Sequence, residues 1–294
     1  MSSTQPGILA DVPAHARFLT FRLAHDVAPA DALAALAGLP WDPALLVGLG
    51  DPLARALARP IEGLGPFPAY AVPGVSVPST PGALWIRVAG DDRGHVWLAA
   101  RAVVEALAAA FVLEEAVDGY RHAGGRDLTG YEDGTENPTG DDAAAAALVV
   151  GRGDGLDGGS FLAVQRWVHD FARFGAMKPE ERDLAVGRRR EDNEEIEEAP
   201  ASAHVRRTAQ EDFTPAAFLL RRSMPWHGDD GAGLLFCSFG AGLAAFDAQL
   251  RRMVGLDDGV TDALFRFTRP VTGSYYFCPP VHEGRLDLRA LGRL

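Results

Sequence analysis

The sequence predicts an α+β fold made of two similar halves, in which antiparallel sheets pack face to face and helices lie outside. Three observations support this prediction: strand-like segments with alternating apolar residues, amphipathic helical segments between them, and the same order of elements in both halves. The chain has 294 residues, 47% of them hydrophobic and 23% charged, which suffices for two domains with ordinary cores. We expect these domains to span residues 1–128 and 129–294.

The first half begins with FLTFRLAH, where apolar and polar residues alternate as in a half-buried strand. PADALAALAGL reads as a short helix that ends at Gly38, and LLVGLG as a short buried strand before a helix starting near Asp51. ALWIRVAG alternates again, and GHVWLAARAVVEALAAA carries an apolar stripe through Val96, Val103 and Leu107. FVLEEAV is the predicted closing strand.

The second half repeats this order with different residues. FLAVQRWVH is a predicted strand, residues 170–186 are predicted helical with an interruption at Pro179, and AFLLRRS and GLLFCSF are strands joined by the turn-rich MPWHGDDGAG. AGLAAFDAQLRRMV is a predicted helix and TGSYYFCPP the last strand. This order is that of a split β-α-β, or ferredoxin-like, unit. Two such units predict a barrel-like pairing of antiparallel sheets.

Composition restricts the class of function. The net charge of -12 argues against a general nucleic-acid partner, which requires a basic face. Cys237 and Cys278 form no CxxC pattern, so we expect a reducing compartment and no zinc framework. No basic segment followed by an apolar run begins the sequence, and no apolar stretch reaches bilayer length. We therefore expect a soluble, cytoplasmic protein without a membrane partner.

Common catalytic signatures are missing. The sequence has no GxSxG, HExxH or GxxxxGK[ST] pattern, which removes the usual hydrolase, zinc protease and P-loop interpretations. VVGRGDGLDGG is rich in glycine, but Leu156 occupies the place of the third glycine of a dinucleotide fingerprint.

Three polar features remain: Asp133 in GYEDGTENPTG, His204 in PASAHVRRT and Arg221 in FLLRRSMPW. Each has an ordinary explanation when taken alone. An aspartate in a glycine-rich turn usually stabilises that turn through its own backbone, a lone histidine is usually not a ligand, and an arginine that ends a strand is usually solvated or paired.

Together, these segments resemble those of the dye-decolourising peroxidases, heme peroxidases with a GxxDG motif. Gly130, Asp133 and Gly134 fill the fixed positions of that motif, SAHVRR resembles the segment of the proximal heme histidine, and LLRRSMPW resembles that of the distal arginine. GRRREDNEE and RPVTGSYYF resemble further segments, so the resemblance covers nearly the whole chain and is greatest to the bacterial cytoplasmic branch. It implies two ferredoxin-like modules, with heme b in the C-terminal one.

The resemblance also implies roles for individual residues. His204 is the expected axial ligand of the heme iron, and Asp262 in GVTDALFRFT is the carboxylate expected beside it. Asp133 is expected to move a proton of the peroxide and Arg221 to stabilise charge, with their relative weight left open. Ser223 is expected to line the distal pocket and to tune the rate.

Three further residues are candidates for contacts with the heme itself. Leu234 and Phe236 share one face of GLLFCSF, where they either line the ring or belong to an ordinary sheet core. Arg207 is a candidate for the propionates, or a surface residue.

The expected activity is that of a heme peroxidase: hydrogen peroxide oxidises ferric heme to a ferryl state, and dyes, phenols or similar donors return it to rest. Two alternatives stay open. One is a heme-handling or iron-release protein with incidental peroxidase activity. The other is a cargo peroxidase of an encapsulin shell, docked through the leucine-spaced tail EGRLDLRALGRL. We also expect a homo-oligomer.

Overall fold

The computed structural model describes residues 3–292. Its helices are α1 Pro29–Ala37, α2 Asp51–Ala56, α3 Arg93–Leu107, α4 Gly140–Ala147, α5 Phe171–Ala176, α6 Pro179–Val186, α7 His204–Arg207 and α8 Ala244–Met253. Its strands are β1 His15–Leu23, β2 Leu45–Gly50, β3 Tyr70–Val72, β4 Val75–Val77, β5 Leu84–Gly90, β6 Phe111–Tyr120, β7 Ser160–His169, β8 Leu220–Arg221, β9 Met224–Gly228, β10 Gly231–Gly240, β11 Thr268–Pro270, β12 Ser274–Cys278, β13 Val281–His282 and β14 Arg285–Leu286. Short 3-10 turns lie at Pro6–Ile8, Gln210–Asp212, Ala263–Arg266 and Arg289–Leu291.

Antiparallel strands form a closed barrel in the order β7-β12-β2-β5-β1-β6-β9-β10, and β10 pairs back onto β7. The prediction of antiparallel sheets with outer helices is confirmed, and the structure joins the sheets edge to edge. The joints are short. The pair Gly119 and Trp226 connects β6 to β9, and two pairs beginning at Tyr276 and Gly50 connect β12 to β2.

Each half contributes four neighbouring barrel strands in the same spatial order. In the N-terminal half the fourth strand, β6, lies beside the first, β1, followed by the third, β5, and the second, β2. In the C-terminal half the corresponding order is β12, β7, β10 and β9. Two short strands lie beside the barrel: β8 pairs with β10, and β11 pairs with β7.

Alternation along the strands separates the barrel interior from the outer layers. In β10, Leu235, Cys237 and Phe239 belong to the interior core, together with Cys278 of β12 and Trp85 of β5. The alternate residues of each strand face the outer layers. On the N-terminal half, that outer face packs against α1 and α3.

The helix α3 illustrates how sequence determines packing in this outer layer. Asp92 caps its first turn by accepting a hydrogen bond from the backbone N–H of His95 at 2.8 Å. Val96, Val103 and Leu107 form the predicted stripe and are buried against the apolar face of the sheet. The opposite face is exposed and carries the ion pair between Arg101 and Glu105.

Two predicted boundaries were wrong in the second half. The turn-rich MPWHGDDGAG contains the strand β9, and the predicted strand AFLLRRS pairs only at Leu220 and Arg221. Backbone groups before β8 are bound elsewhere: Gln210 accepts from the N–H of Ala217 through its carbonyl oxygen and from that of Leu219 through its side chain. These groups are therefore unavailable to a β-ladder.

Three smaller details complete the fold. Pro179 begins α6 rather than interrupting a helix, and α2 has Gly50 as its N-cap, one residue before the predicted Asp51. In the C-terminal tail, Leu288 and Leu291 are buried in the N-terminal core, so packing accounts for the leucine spacing; the end of the tail, residues 293–294, lies outside the described residues. Among residues 3–292, no helix combines the length and apolarity needed to cross a bilayer.

Candidate active site

A cavity lies on the outer side of the C-terminal half of the barrel. Alternation in β10 points Leu234 and Phe236 into it, so the structure places both predicted wall residues in its lining. Most of the remaining wall is also apolar and is provided by Trp167, Phe246, Leu250, Met253, Leu264 and Phe267.

Asp133 reaches this cavity from a tight loop after β6. Its backbone N–H donates to the carbonyl oxygen of Gly125 at 3.2 Å. Gly134 has a φ of 82°, and a Cβ there would lie 2.7 Å from Nδ2 of Asn137, so this position requires glycine. The carboxylate of Asp133 is half-buried and has no hydrogen-bond partner within residues 3–292.

Arg221 reaches the same cavity from β8, which is held to the barrel by pairing with Ser238 of β10. Its Nε is buried and without a hydrogen-bond partner in the described part of the chain. No ion pair to the Arg221 guanidinium is formed within residues 3–292 either. A cation without a counter-ion in a cavity wall is suited to an anionic ligand or to charge that develops during a reaction.

His204 is the first residue of the four-residue helix α7 and also lines the cavity. Its Nδ1 is 2.8 Å from Oδ2 of Asp262, whose side chain is fully buried, while Oδ1 of Asp262 accepts from the N–H of Leu264 at 2.8 Å. This contact fixes the ring and leaves Nε2 without a hydrogen bond among the described residues. The arrangement is the one in which a histidine binds a metal through its second nitrogen.

Arg207 does not line the cavity. Its guanidinium makes two hydrogen bonds of 2.7 Å with Asp258 and also donates to the carbonyl oxygen of Arg252. The hydrogen bonds from Arg207 lower the pKa of Asp258 to about 2. The buried guanidinium of Arg207 already binds the carboxylate of Asp258. The structure therefore does not bring Arg207 to the cavity where a contact with the heme propionates was predicted.

Ser223 lines a second, smaller cavity, which Asp133, Arg221 and Leu234 also line. The Oγ of Ser223 is buried and has no hydrogen-bond partner in the described chain. Exposed Arg121 and His122 lie in the wall of this cavity. Asp133 and Arg221 therefore line both cavities, whereas Ser223 lines only the second.

Sequence reasoning missed a buried pair in the wall of the larger cavity, Asp127 and His169. Nε2 of His169 lies 3.0 Å from Oδ1 of Asp127, and Oδ2 of Asp127 accepts from both the N–H and the hydroxyl of Thr129. Burial alone would raise the pKa of Asp127, but the hydrogen bonds from His169 and Thr129 hold it below its ordinary value. The turn sequence GRDLTG was the available signal for the contact between Asp127 and Thr129, since an aspartate in a turn often accepts hydrogen bonds from the residue two positions later.

Comparison with known proteins agrees with this site. Residues 124–283 match the family profile described as the C-terminal part of Dyp-type peroxidases. A dye-decolorizing peroxidase of Rhodococcus erythropolis is 30% identical over 281 residues, which is 92% of this chain and 78% of that protein.

Solved structures show the same fold. A Dyp-type peroxidase protein from Shewanella oneidensis superimposes with a TM-score of 0.89 and 28% identity, covering 99% of this chain and 98% of that one. A variant of DypB from Rhodococcus jostii, solved in complex with heme, gives a TM-score of 0.85 with 27% identity over 93% and 96% of the two chains.

The fold and these relatives define an oxidoreductase of the peroxidase class. The chain belongs to the family of Dyp-type, or dye-decolorizing, peroxidases. The resemblance based on the GxxDG segment is thereby confirmed. The findings do not favour the two alternatives, heme handling and shell cargo.

Proposed function

We propose that the larger cavity binds heme b and that His204 is its axial ligand. One observation carries this proposal: His204, which contacts the buried side chain of Asp262, lines the same cavity as Asp133 and Arg221. The residues present fit the group: aromatic and aliphatic side chains form much of the wall, and one imidazole nitrogen is available to a metal. When bound, heme supplies the iron at which peroxide is reduced and oxidising equivalents are stored.

Asp133 and Arg221 have two different roles in the reaction of hydrogen peroxide, proton transfer and charge stabilisation. The carboxylate of Asp133 has no competing partner among residues 3–292, so it accepts the proton of one peroxide oxygen and returns it to the other, which leaves as water. Arg221 carries a permanent charge and stabilises the negative charge that develops as the O–O bond breaks.

The second cavity is the proposed route by which peroxide reaches these two groups. It meets the larger cavity at Asp133 and Arg221 and contains the unpartnered hydroxyl of Ser223. This hydroxyl orients a water or peroxide molecule on the way, which tunes the rate without being required for the reaction. Ser223→Ala is expected to slow the peroxide reaction and not to abolish it.

Absorption spectroscopy of the heme-loaded protein tests these roles. Asp133→Ala and Arg221→Ala are expected to keep the heme spectrum of the parent and to lose about 10²–10³-fold in the rate of reaction with peroxide, the usual order of effect when a proton-transfer group or a charge-stabilising donor is removed. Ser223→Ala, a change in the second cavity alone, is expected to give a clearly smaller loss than either of these variants. Rates that stay at the parental value in both Asp133→Ala and Arg221→Ala would contradict the proposal.

We further propose dyes and phenols as electron donors, in line with the relatives' names. A homo-oligomer and a cytoplasmic location are also proposed; the latter is supported by the two buried cysteines, which are free thiols. Residues 1–128 and 129–294 are proposed to be two ferredoxin-like modules, because both halves share one spatial order of strands. Residues 1–2 and 293–294 of these modules lie outside the described chain.

A further inference from the structure

Asn137 connects the loop of Asp133 to the strand of Arg221. Its Nδ2 donates to the carbonyl oxygen of Arg221 at 3.0 Å, and its Oδ1 accepts from the backbone N–H of Arg221 at 2.8 Å. One side-chain amide thus binds both backbone groups of a single residue that is 84 positions away in the chain. These contacts concern the backbone that carries the guanidinium and not the guanidinium itself.

The backbone groups of Arg221 are those of a free strand edge. β8 is the last strand on its side of the sheet, and the N–H of the next residue, Arg222, donates to the carbonyl oxygen of Cys237 in β10. Because backbone groups alternate in direction along a strand, the N–H and C=O of Arg221 face away from β10. The amide of Asn137 offers the acceptor and the donor that a neighbouring peptide group would offer.

Asn137 is linked equally closely to Asp133. Its backbone N–H donates to the carbonyl oxygen of Gly134 at 3.0 Å, which closes a four-residue turn directly after Asp133. The absence of a side chain at Gly134 lets the Asn137 amide lie against this turn. The turn and the free edge of β8 are therefore held together by one residue.

We propose that Asn137 is a positioning residue for the peroxide step: it fixes the backbone of Arg221 relative to Asp133, so that both groups act on one peroxide molecule. This inference rests on the proposed roles of Asp133 and Arg221. No side chain in the described chain pairs with the guanidinium, so the backbone of the two-residue strand determines where it points. A displacement of about 1 Å in a reacting group can cost about 10²-fold in rate.

The test compares Asn137→Ala with Gln210→Ala in the heme-loaded protein. Gln210 is a matched control because its amide also binds backbone groups of the same two segments, the carbonyl oxygen of Glu136 and the N–H of Leu219, without touching Arg221. Stopped-flow absorption gives the second-order rate constant with hydrogen peroxide, and titration gives the affinity for cyanide, an anion that a correctly placed guanidinium is expected to stabilise. Asn137→Ala is expected to lower both by about tenfold or more, whereas Gln210→Ala stays near the parent.

A double variant separates positioning from general damage to the loop. In an Arg221→Ala background, Asn137→Ala is expected to have little further effect, because the group that it positions is gone. Asn137→Asp keeps the shape and the acceptor but not the donor, and is expected to show an intermediate loss even if Asn137→Ala folds poorly.

Three results would overturn the inference: parental rates in Asn137→Ala and Asn137→Asp, an equal loss in Gln210→Ala, or full additivity with Arg221→Ala. A parental rate in Arg221→Ala would instead overturn the role proposed for Arg221 itself, so the two failures are distinguishable.

Discussion

The two halves of the barrel share a strand order but differ in the layer outside the sheet. On the N-terminal half, Val96, Val103 and Leu107 of α3 pack directly against this side of the sheet. On the C-terminal half, the corresponding side of β7 and β10 faces a cavity, and α8 contributes Leu250 and Met253 to its far wall. In the N-terminal half a helix therefore lies directly on the sheet, whereas the C-terminal half is hollow between the sheet and α8.

The connections between the first and second barrel strands explain this difference. In the N-terminal half, residues 24–44 form one helix and short loops, and α1 packs onto the sheet. In the C-terminal half, residues 170–223 form three short helices, a 3-10 turn, the short strand β8 and the loops between them. This longer connection carries His204 and Arg221, whereas Asp133 comes from the loop after β6.

The largest expected effect concerns His204. If the hollow half alone holds the heme, His204→Ala removes the axial ligand, and titration of the apoprotein with heme should show no tight binding. His227→Ala is the control, since His227 is exposed and its ring contacts the hydroxyl of Tyr120. Binding by His204→Ala at the parental affinity would show that this comparison of the halves locates the site wrongly.

A smaller effect is expected at the residue behind this ligand. Asp262→Asn weakens the contact with Nδ1 of His204 but keeps the shape of the buried side chain. Loss of such a supporting carboxylate typically costs about 10–100-fold in affinity or activity. Heme titration and peroxide kinetics measure it, and a loss as large as that of His204→Ala would mean that Asp262 has a further role.

The free energy of unfolding should respond differently to a truncation at the packed interface of α3 and to one in the cavity wall. Leu107, the last residue of α3, is fully buried, so Leu107→Ala is expected to lower the free energy of unfolding by about 2–5 kcal/mol. Leu234 already faces a cavity, so Leu234→Ala in the apoprotein removes fewer contacts and should cost less. Denaturant unfolding of both variants measures the difference, and equal losses would contradict the contrast between the layers.

The smallest expected effect is a pH dependence in the cavity wall. The pKa of Asp127 in the folded protein is below its ordinary value of 3.8, so the carboxylate stabilises the fold above that pH and loses this contribution as the pH falls through the folded pKa. Asp127→Asn should therefore be less stable than the parent at pH 7, with a gap that narrows in acid. Urea midpoints between about pH 7 and 3 measure it, against Asp229→Asn, an exposed control.

Much of the barrel was predictable because its determinants are local. Alternation in ALWIRVAG and the stripe of α3 each result from neighbouring residues, and both predictions were confirmed. The strand β9 was missed because MPWHGDDGAG contains a proline, glycines and aspartates that favour a turn. Its pairing depends on the opposite strand β10, which supplies a ladder of five residue pairs.

The site was predictable only in part, for the same reason. Asp133, His204 and Arg221 stand in recognisable segments, and the structure brings all three to one cavity. Arg207 lies in such a segment too, but Asp258, far along the chain, binds its guanidinium. The contacts of Asn137 with Arg221 and of His169 with Asp127 also join distant segments, so no local pattern indicates these two pairings, although GRDLTG indicates the contact of Asp127 with Thr129.

The barrel interior has a consequence for the durability of a protein that works with an oxidant. Cys237 and Cys278, the chain's only cysteines, are both buried in that interior. Burial raises the pKa of the Cys237 thiol to about 12 and also raises that of Cys278. Peroxide attacks thiolates, so these two neutral, enclosed thiols are poor targets. The barrel interior thus shields both cysteine thiols from hydrogen peroxide, the oxidant that a peroxidase uses.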